Sequence, residues 1–81
     1  MDDMALLTDP SKIVAANLRR LMAQMNISGL QLAEKAGVPQ SRISEMLRGE
    51  RDSRMGTVDR VARALGVPLV ALLHPVDDKI S

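Results

Sequence analysis

Apolar residues recur at the spacing of helical turns in five successive stretches of the chain. The first stretch begins at Asp9 and Pro10, a helix cap followed by a residue whose missing N–H costs nothing at the first helical position. We predict a helix from there to about Met25, ended by Asn26 in a left-handed conformation. The inward positions of this helix are Val14, Leu18, Leu21, Met22 and Met25.

The second predicted helix is short and has a marked start and end. Ser28 and Gln31 match the capping box, so the helix starts at Gly29. It ends at Gly37, where we expect a positive φ that glycine tolerates. Ala33 faces inward with Leu32 and Ala36, and a larger side chain at Ala33 would push the next helix away.

The third predicted helix, over about residues 39–48, has two chemically different faces. Pro39 opens it and Gly49 ends it. The inward stripe consists of Ile43, Met46 and Leu47. The outward side chains are short or form hydrogen bonds, which suits close approach to base edges. They are Gln40, Ser41, Ser44, Glu45 and Arg48.

The remaining apolar stretches predict two further helices. The fourth runs from about Met55 to Leu65, with Met55, Val58, Val61, Ala62 and Leu65 inward. The fifth, Leu69 to Leu73, is apolar nearly all round, so we expect part of its surface to be exposed or to meet a partner. The chain therefore reads as an all-α, compact five-helix bundle. We expect one domain over residues 9–75, a flexible tail over residues 1–8 and a frayed end over residues 76–81.

The distribution of charge along the chain is more informative about a nucleic-acid partner than the net charge is. The net charge is only +1, but residues 10–76 hold ten Lys and Arg against five Asp and Glu, a difference of +5. Eight of those ten are Arg, which suits phosphate and guanine edges. On charge alone, a basic helical surface that only confers solubility is an equal alternative. Phe, Tyr and Trp are absent, which counts against stacking of single-stranded bases.

Several chemistries have no candidate residues in the sequence. There is no cysteine, and His74 is the single histidine, so we expect no disulfide, metal site, cofactor or catalysis. The longest apolar runs fall short of a membrane span, so we expect no membrane association. No basic and apolar leader opens the chain. We therefore expect a bacterial or phage-encoded protein of the cytoplasm.

Several short motifs together resemble the phage-repressor and Cro-type, or XRE-like, helix-turn-helix family. They are LRRL at 18–21, QLAEKAGV at 31–38, SRIS at 41–44, LRGE at 47–50, VARALGV at 61–67 and LVALL at 69–73. Each is common alone, but their order and spacing are specific. The resemblance implies a five-helix DNA-binding domain that binds operator DNA as a two-fold dimer and regulates transcription.

The chain departs from the family pattern at three places. Gly29 stands where the family often has a glutamine that contacts phosphate, so that side-chain contact is absent here. Met22 and Leu47 stand where many members pair an arginine with a glutamate, and an apolar contact can replace such a pair at little cost. Pro39 stands where a serine often caps the third helix.

The resemblance assigns roles to residues of the second and third helices and the following loop. Base-reading positions are Gln40, Ser41, Ser44 and Glu45. Residues that the resemblance implies beside phosphates, or flanking the reading face, are Ser28, Gly29, Arg42, Arg48, Arg51, Ser53 and Arg54. We also expect Arg19 of the first helix beside phosphate. Glu45 is the most informative residue about how this face binds DNA, because phosphate repels its carboxylate. It must accept from a cytosine amino group or pair with an arginine of its own helix, and both readings stay open.

A single reading helix covers only a few base pairs, so we expect a homodimer on a palindromic site. The expected dimer contact is Leu69, Val70, Leu72 and Leu73, although part of this set could belong to the monomer core. The leading function is a sequence-specific transcriptional regulator of double-stranded DNA, with repression as the expected outcome. The alternatives are an antitoxin-type regulator with a protein partner and a helical interaction module that has lost DNA binding.

Overall fold

The computed structural model describes residues 10–50 and 54–75, which form five α-helices and no strand. The helices are α1 Pro10–Met25, α2 Gly29–Ala36, α3 Gln40–Leu47, α4 Met55–Leu65 and α5 Val70–Leu73. The predicted all-α five-helix fold is therefore confirmed. The expected tails over residues 1–8 and 76–81, and the expected cap at Asp9, lie outside the described residues.

Local sequence sets the end of α1 and both ends of α2 as predicted. The Ser28 hydroxyl accepts from the Gln31 amide at 3.1 Å, and the Gln31 side chain accepts from the Ser28 amide at 2.9 Å. Asn26 takes φ +53° after α1, and Gly37 takes φ +70° after α2. Each of these groups acts within a few positions along the chain, so the residue types alone were enough to place the two turns.

All five helices contribute to one buried apolar cluster. Its fully buried members include Leu18, Leu32, Ile43, Val61 and Leu72, one from each helix. Burying a side chain of this size stabilises the fold by roughly 1.5–3 kcal/mol. Because α2 and α3 each contribute to this cluster, the core fixes their relative position.

Two methionines predicted to face inward are exposed instead. Met25 is 43% exposed and Met55 is 54% exposed. Met25 is the last residue of α1 and Met55 the first of α4, so each lies beyond the turns that pack on the core. Helical periodicity identified the buried stripe correctly but did not show where along the helix the packing ends.

A buried asparagine ties the end of α5 to α1. Asn17 is fully buried, and its side-chain amide donates to the carbonyls of Leu72 and His74, each at 2.8 Å. Its side-chain oxygen accepts from Arg20 at 3.3 Å. The last carbonyls of a helix have no hydrogen-bond donors within the helix. Asn17 supplies the donors for two such carbonyls at the end of α5.

The environment of α5 corrects part of the predicted dimer contact. Leu72 is completely buried in the single chain, where it belongs to the core and offers no side-chain surface to a second copy. Leu69 and Leu73 are half-buried against the same core. Val70 is 57% exposed. A helix of one turn needs one side on the core, and Leu72 occupies it.

Candidate nucleic-acid interface

The turn between α2 and α3 is held by backbone hydrogen bonds. The amides of Gly37 and Val38 both donate to the Ala33 carbonyl, at 2.9 and 3.1 Å. The Pro39 carbonyl then accepts from the Arg42 amide at 3.0 Å, which begins α3. Ala33 is only 4% exposed, consistent with its predicted need to be small. The turn therefore fixes the direction in which α3 leaves α2.

The start of α2 also lies close to α3. A Cβ built on Gly29 would lie 3.8 Å from the Ile43 side chain, which is an ordinary van der Waals distance. Ile43 is 1% exposed, as is Met46 one turn later. The buried side of α3 is therefore packed against the core, and its orientation is set by that packing.

The opposite side of α3 remains accessible. Gln40 and Ser41 are exposed, and Ser44 and Glu45 are half-buried. These four predicted base-reading residues thus share one accessible helix face, above the buried Ile43 stripe. A helix of this width fits the major groove of B-form DNA, where amide, hydroxyl and carboxylate groups can reach base edges.

Ion pairs lie on and beside this face. The Arg42 guanidinium lies 3.3 Å from a Glu45 carboxylate oxygen, and Arg48 lies 2.8 Å from Glu50. The Arg42 and Glu45 side chains are 39% and 38% exposed. An exposed ion pair contributes about 0–1 kcal/mol, and a pair three residues apart on a helix, as Arg42 and Glu45 are, about 0.2–0.5 kcal/mol. Either arginine can therefore exchange its carboxylate for phosphate at small cost.

Arg19 has a partner inside the protein. It was expected beside phosphate, but one terminal nitrogen of its guanidinium donates to the Leu47 carbonyl at 2.7 Å. Leu47 is the last residue of α3, where carbonyls lack helical partners and the helix dipole is negative. Arg19 thus connects α1 to the end of the helix that carries the predicted reading face.

The family of the chain follows from comparison of its sequence with known families. A helix-turn-helix family model matches residues 18–72, which includes every helix described above except the first half of α1 and the last residue of α5. The chain belongs to the XRE-type helix-turn-helix family. This is a family of DNA-binding transcriptional regulators and not a family of enzymes.

Two relatives of the XRE-type chain agree with this assignment. An HTH-type transcriptional regulator of Sinorhizobium fredii is 31% identical over 70 residues, covering 86% of this chain and 91% of the relative. The crystal structure of a hypothetical transcription factor from Neisseria superposes with a TM-score of 0.81 at 25% identity. That match covers 89% of this chain and 83% of the other.

The expected phosphate-facing groups are distributed around the helix-turn-helix. Ser28 is exposed at the cap of α2, and Gly29 is half-buried beside it. Arg54 is exposed at the start of α4. Arg51 and Ser53 lie outside the described residues. Within the described ranges, no helix is long and apolar enough to cross a membrane, and no cluster of His, Asp or Glu could hold a metal ion.

Sequence reasoning gave no role to Asn17 and Arg20, which form the junction with α5. A signal was present, because Asn17 lies on the apolar stripe of α1 between Val14 and Leu21. A polar residue on such a stripe has to find hydrogen-bond partners when it is buried. The partners themselves lie 55 and 57 positions away, so the sequence could not name them.

Proposed function

We propose that this XRE-type protein is a sequence-specific repressor that binds a palindromic operator as a homodimer. The observation that carries the proposal is the accessible polar face of α3, which lies above the buried Ile43 and Met46 in a chain of this regulator family. A protein bound to an operator in this way blocks the DNA that it covers. It acts in the bacterial cytoplasm, where it has access to the chromosome.

The residues of α3 have distinct reading capacities. Gln40 can donate to and accept from adenine, and Ser41 or Ser44 can suit several bases. Glu45 is held by Arg42 in the free protein. On DNA, we propose that Glu45 accepts from a cytosine amino group, which frees Arg42 for phosphate or guanine. This exchange replaces a weak surface ion pair by two contacts to DNA.

Positioning on the duplex comes from groups on both sides of the reading helix. Arg48 and Arg54 are exposed and long enough to neutralise phosphates, and the loop residues Arg51 and Ser53 are proposed to do the same. The Gly29 amide and the Ser28 hydroxyl hydrogen add a site for a phosphate oxygen at the start of α2, where the Ser28 amide is already bonded to Gln31. These contacts fix register but carry no sequence information.

The proposed dimer surface is reduced to the accessible part of the fifth helix. Val70 is the centre of this surface, with Leu69 and Leu73 at its edges. Two reading helices must lie about 34 Å apart to reach successive major grooves. A contact through α5 would set this distance, because α5 is fastened to α1 and α1 to α3.

Selection from a random DNA pool tests the proposed reading. We expect a palindromic site, and we expect Ser44→Ala and Glu45→Ala to change the preferred bases in both half-sites. Arg63→Ala is the matched control, since Arg63 lies on α4 and pairs with Asp59. It should leave the preferred sequence unchanged. A folded wild-type protein that enriches no sequence at low salt would contradict the proposal and favour a role in binding another protein.

Sedimentation at tens of micromolar protein tests the dimer separately. Val70→Asp should shift the protein to monomer, because an exposed apolar contact would then contain two carboxylates. Leu30→Asp is the control, since Leu30 on α2 is exposed to a similar extent, 52% against 57%. A wild-type protein that is strictly monomeric with and without operator DNA would exclude the proposed homodimer.

A further inference from the structure

Helix α1 contacts the C-terminal end of α3 at two neighbouring points. Arg19 donates to the Leu47 carbonyl at 2.7 Å. Gly49, just beyond the helix, is buried, and a Cβ built on it would lie 3.2 Å from the Lys12 side chain and 3.7 Å from that of Ala15. The end of the reading helix is therefore enclosed by one face of α1.

The three α1 residues at this junction share that face because of their spacing. Lys12, Ala15 and Arg19 are separated by three and four positions, which places them above one another on a helix. Ala15 is small and Gly49 has no side chain, so the two backbones approach closely. Arg19 is the member of this set with a directed, charge-assisted hydrogen bond.

The position of the bond matters more than its strength. Arg19 is exposed, so its hydrogen bond competes with water and adds little to global stability. The bond acts, however, on the last turn of α3, whose carbonyls accept from the amides of Arg48, Gly49 and Glu50 just beyond the helix. Ser44 and Glu45 both lie in that turn, so the orientation of these two proposed base-reading residues depends on how the turn is held.

We propose that Arg19 is a positioning residue that orients α3 on DNA by holding the Leu47 carbonyl, and that it does not act as a phosphate contact. This inference rests on the proposed DNA-binding function. Under this proposal, Arg19 strengthens binding to a DNA site whose bases are read. It adds little to binding of DNA on which only phosphates are contacted.

The first measurement needs no DNA. Hydrogen exchange of the Arg48, Gly49 and Glu50 amides is compared in wild type, Arg19→Met, Arg19→Lys and Arg63→Met. Methionine keeps an apolar stem but removes the charge and the donors, and Arg63→Met removes the same charge from α4. We expect several-fold faster exchange in Arg19→Met, partial recovery in Arg19→Lys, and wild-type rates in Arg63→Met.

The second measurement uses DNA at a series of salt concentrations, with the selected operator and an unrelated duplex. We expect Arg19→Met to lose about tenfold in operator affinity, with little loss on the unrelated duplex. Its salt dependence should match that of Arg63→Met. Arg48→Met provides the comparison for a phosphate contact, and should lower the slope of log affinity against log salt by about one.

Two outcomes would overturn the inference while leaving the proposed function intact. Equal losses on both duplexes, with a slope reduced by about one, would make Arg19 a phosphate contact. Wild-type exchange and wild-type binding in Arg19→Met would show that the bond positions nothing. Failure of the proposed function is recognised differently, because the wild-type protein itself would then show no salt-sensitive DNA binding.

Discussion

Helix α1 holds the ends of two other helices by different chemistry. At α5 the donor is the neutral amide of Asn17, which is fully buried and bonds two carbonyls. At α3 the donor is the charged guanidinium of Arg19, which is exposed and bonds one carbonyl. Both donors satisfy helix-end carbonyls that would otherwise lack partners.

This difference separates stability from function. Water cannot replace a buried donor, so loss of Asn17 leaves the Leu72 carbonyl unsatisfied inside the protein. Water can replace an exposed donor, so we expect loss of Arg19 to change mainly the geometry of α3. We therefore expect the buried junction to maintain the fold and the exposed one to adjust the proposed reading helix.

The largest expected effect is that of Asn17→Ala. We expect a loss of about 2–4 kcal/mol in the free energy of unfolding, because two carbonyls lose their partners and one of them is buried. Urea denaturation measures it. Gln24→Ala is the control, since Gln24 is exposed on the same helix and should change stability by less than about 0.5 kcal/mol. Equal losses in the two variants would mean that the buried bonds contribute little.

The second effect tests the close approach at the end of α3. Gly49 and Gly66 have nearly the same φ, +74° and +73°, but a Cβ meets Lys12 at Gly49 and open space at Gly66. Gly66→Ala should cost about 1 kcal/mol from the left-handed backbone alone, and Gly49→Ala about 2 kcal/mol. Adding Lys12→Ala to Gly49→Ala should remove the difference. If the two single variants are equally stable in urea, the helices have room to move apart.

A smaller loss of stability is expected for Arg19→Met, about 0.5–1 kcal/mol, since the lost bond is exposed. Thermal unfolding of the variant beside Asn17→Ala gives the comparison directly. The order should reverse for DNA binding measured at a temperature where both variants are folded. If Arg19→Met destabilised the protein as much as Asn17→Ala, the division between stability and positioning would fail.

The smallest effect is expected for an ion pair that connects no helices. Arg63 and Asp59 lie 2.8 Å apart on α4 at a spacing of four residues, with the arginine 79% exposed. Asp59→Asn should lower the free energy of unfolding by only about 0.3 kcal/mol, and less at high salt. A change above 1 kcal/mol would show that surface charge contributes more here than the helix-end contacts suggest.

Much of the candidate interface could be predicted because its determinants are local. The capping pair Ser28 and Gln31, and the turn at Gly37, depend on residues within a few positions of one another. The outward position of Gln40 and Ser44 follows from helical spacing around the buried Ile43. The state of Glu45 could not be chosen from the sequence, and in the free protein it pairs with Arg42.

The sequence by itself determined the five helices, the turns on either side of α2 and the accessible polar face of α3. Only the tertiary structure decided that Leu72 is core, that Asn17 bonds the end of α5 and that Arg19 bonds the end of α3. The reason is distance along the chain: helix ends are set by residues a few positions apart. The two α1 junctions join residues 28 and 55 positions apart, and only packing of the complete bundle brings them together.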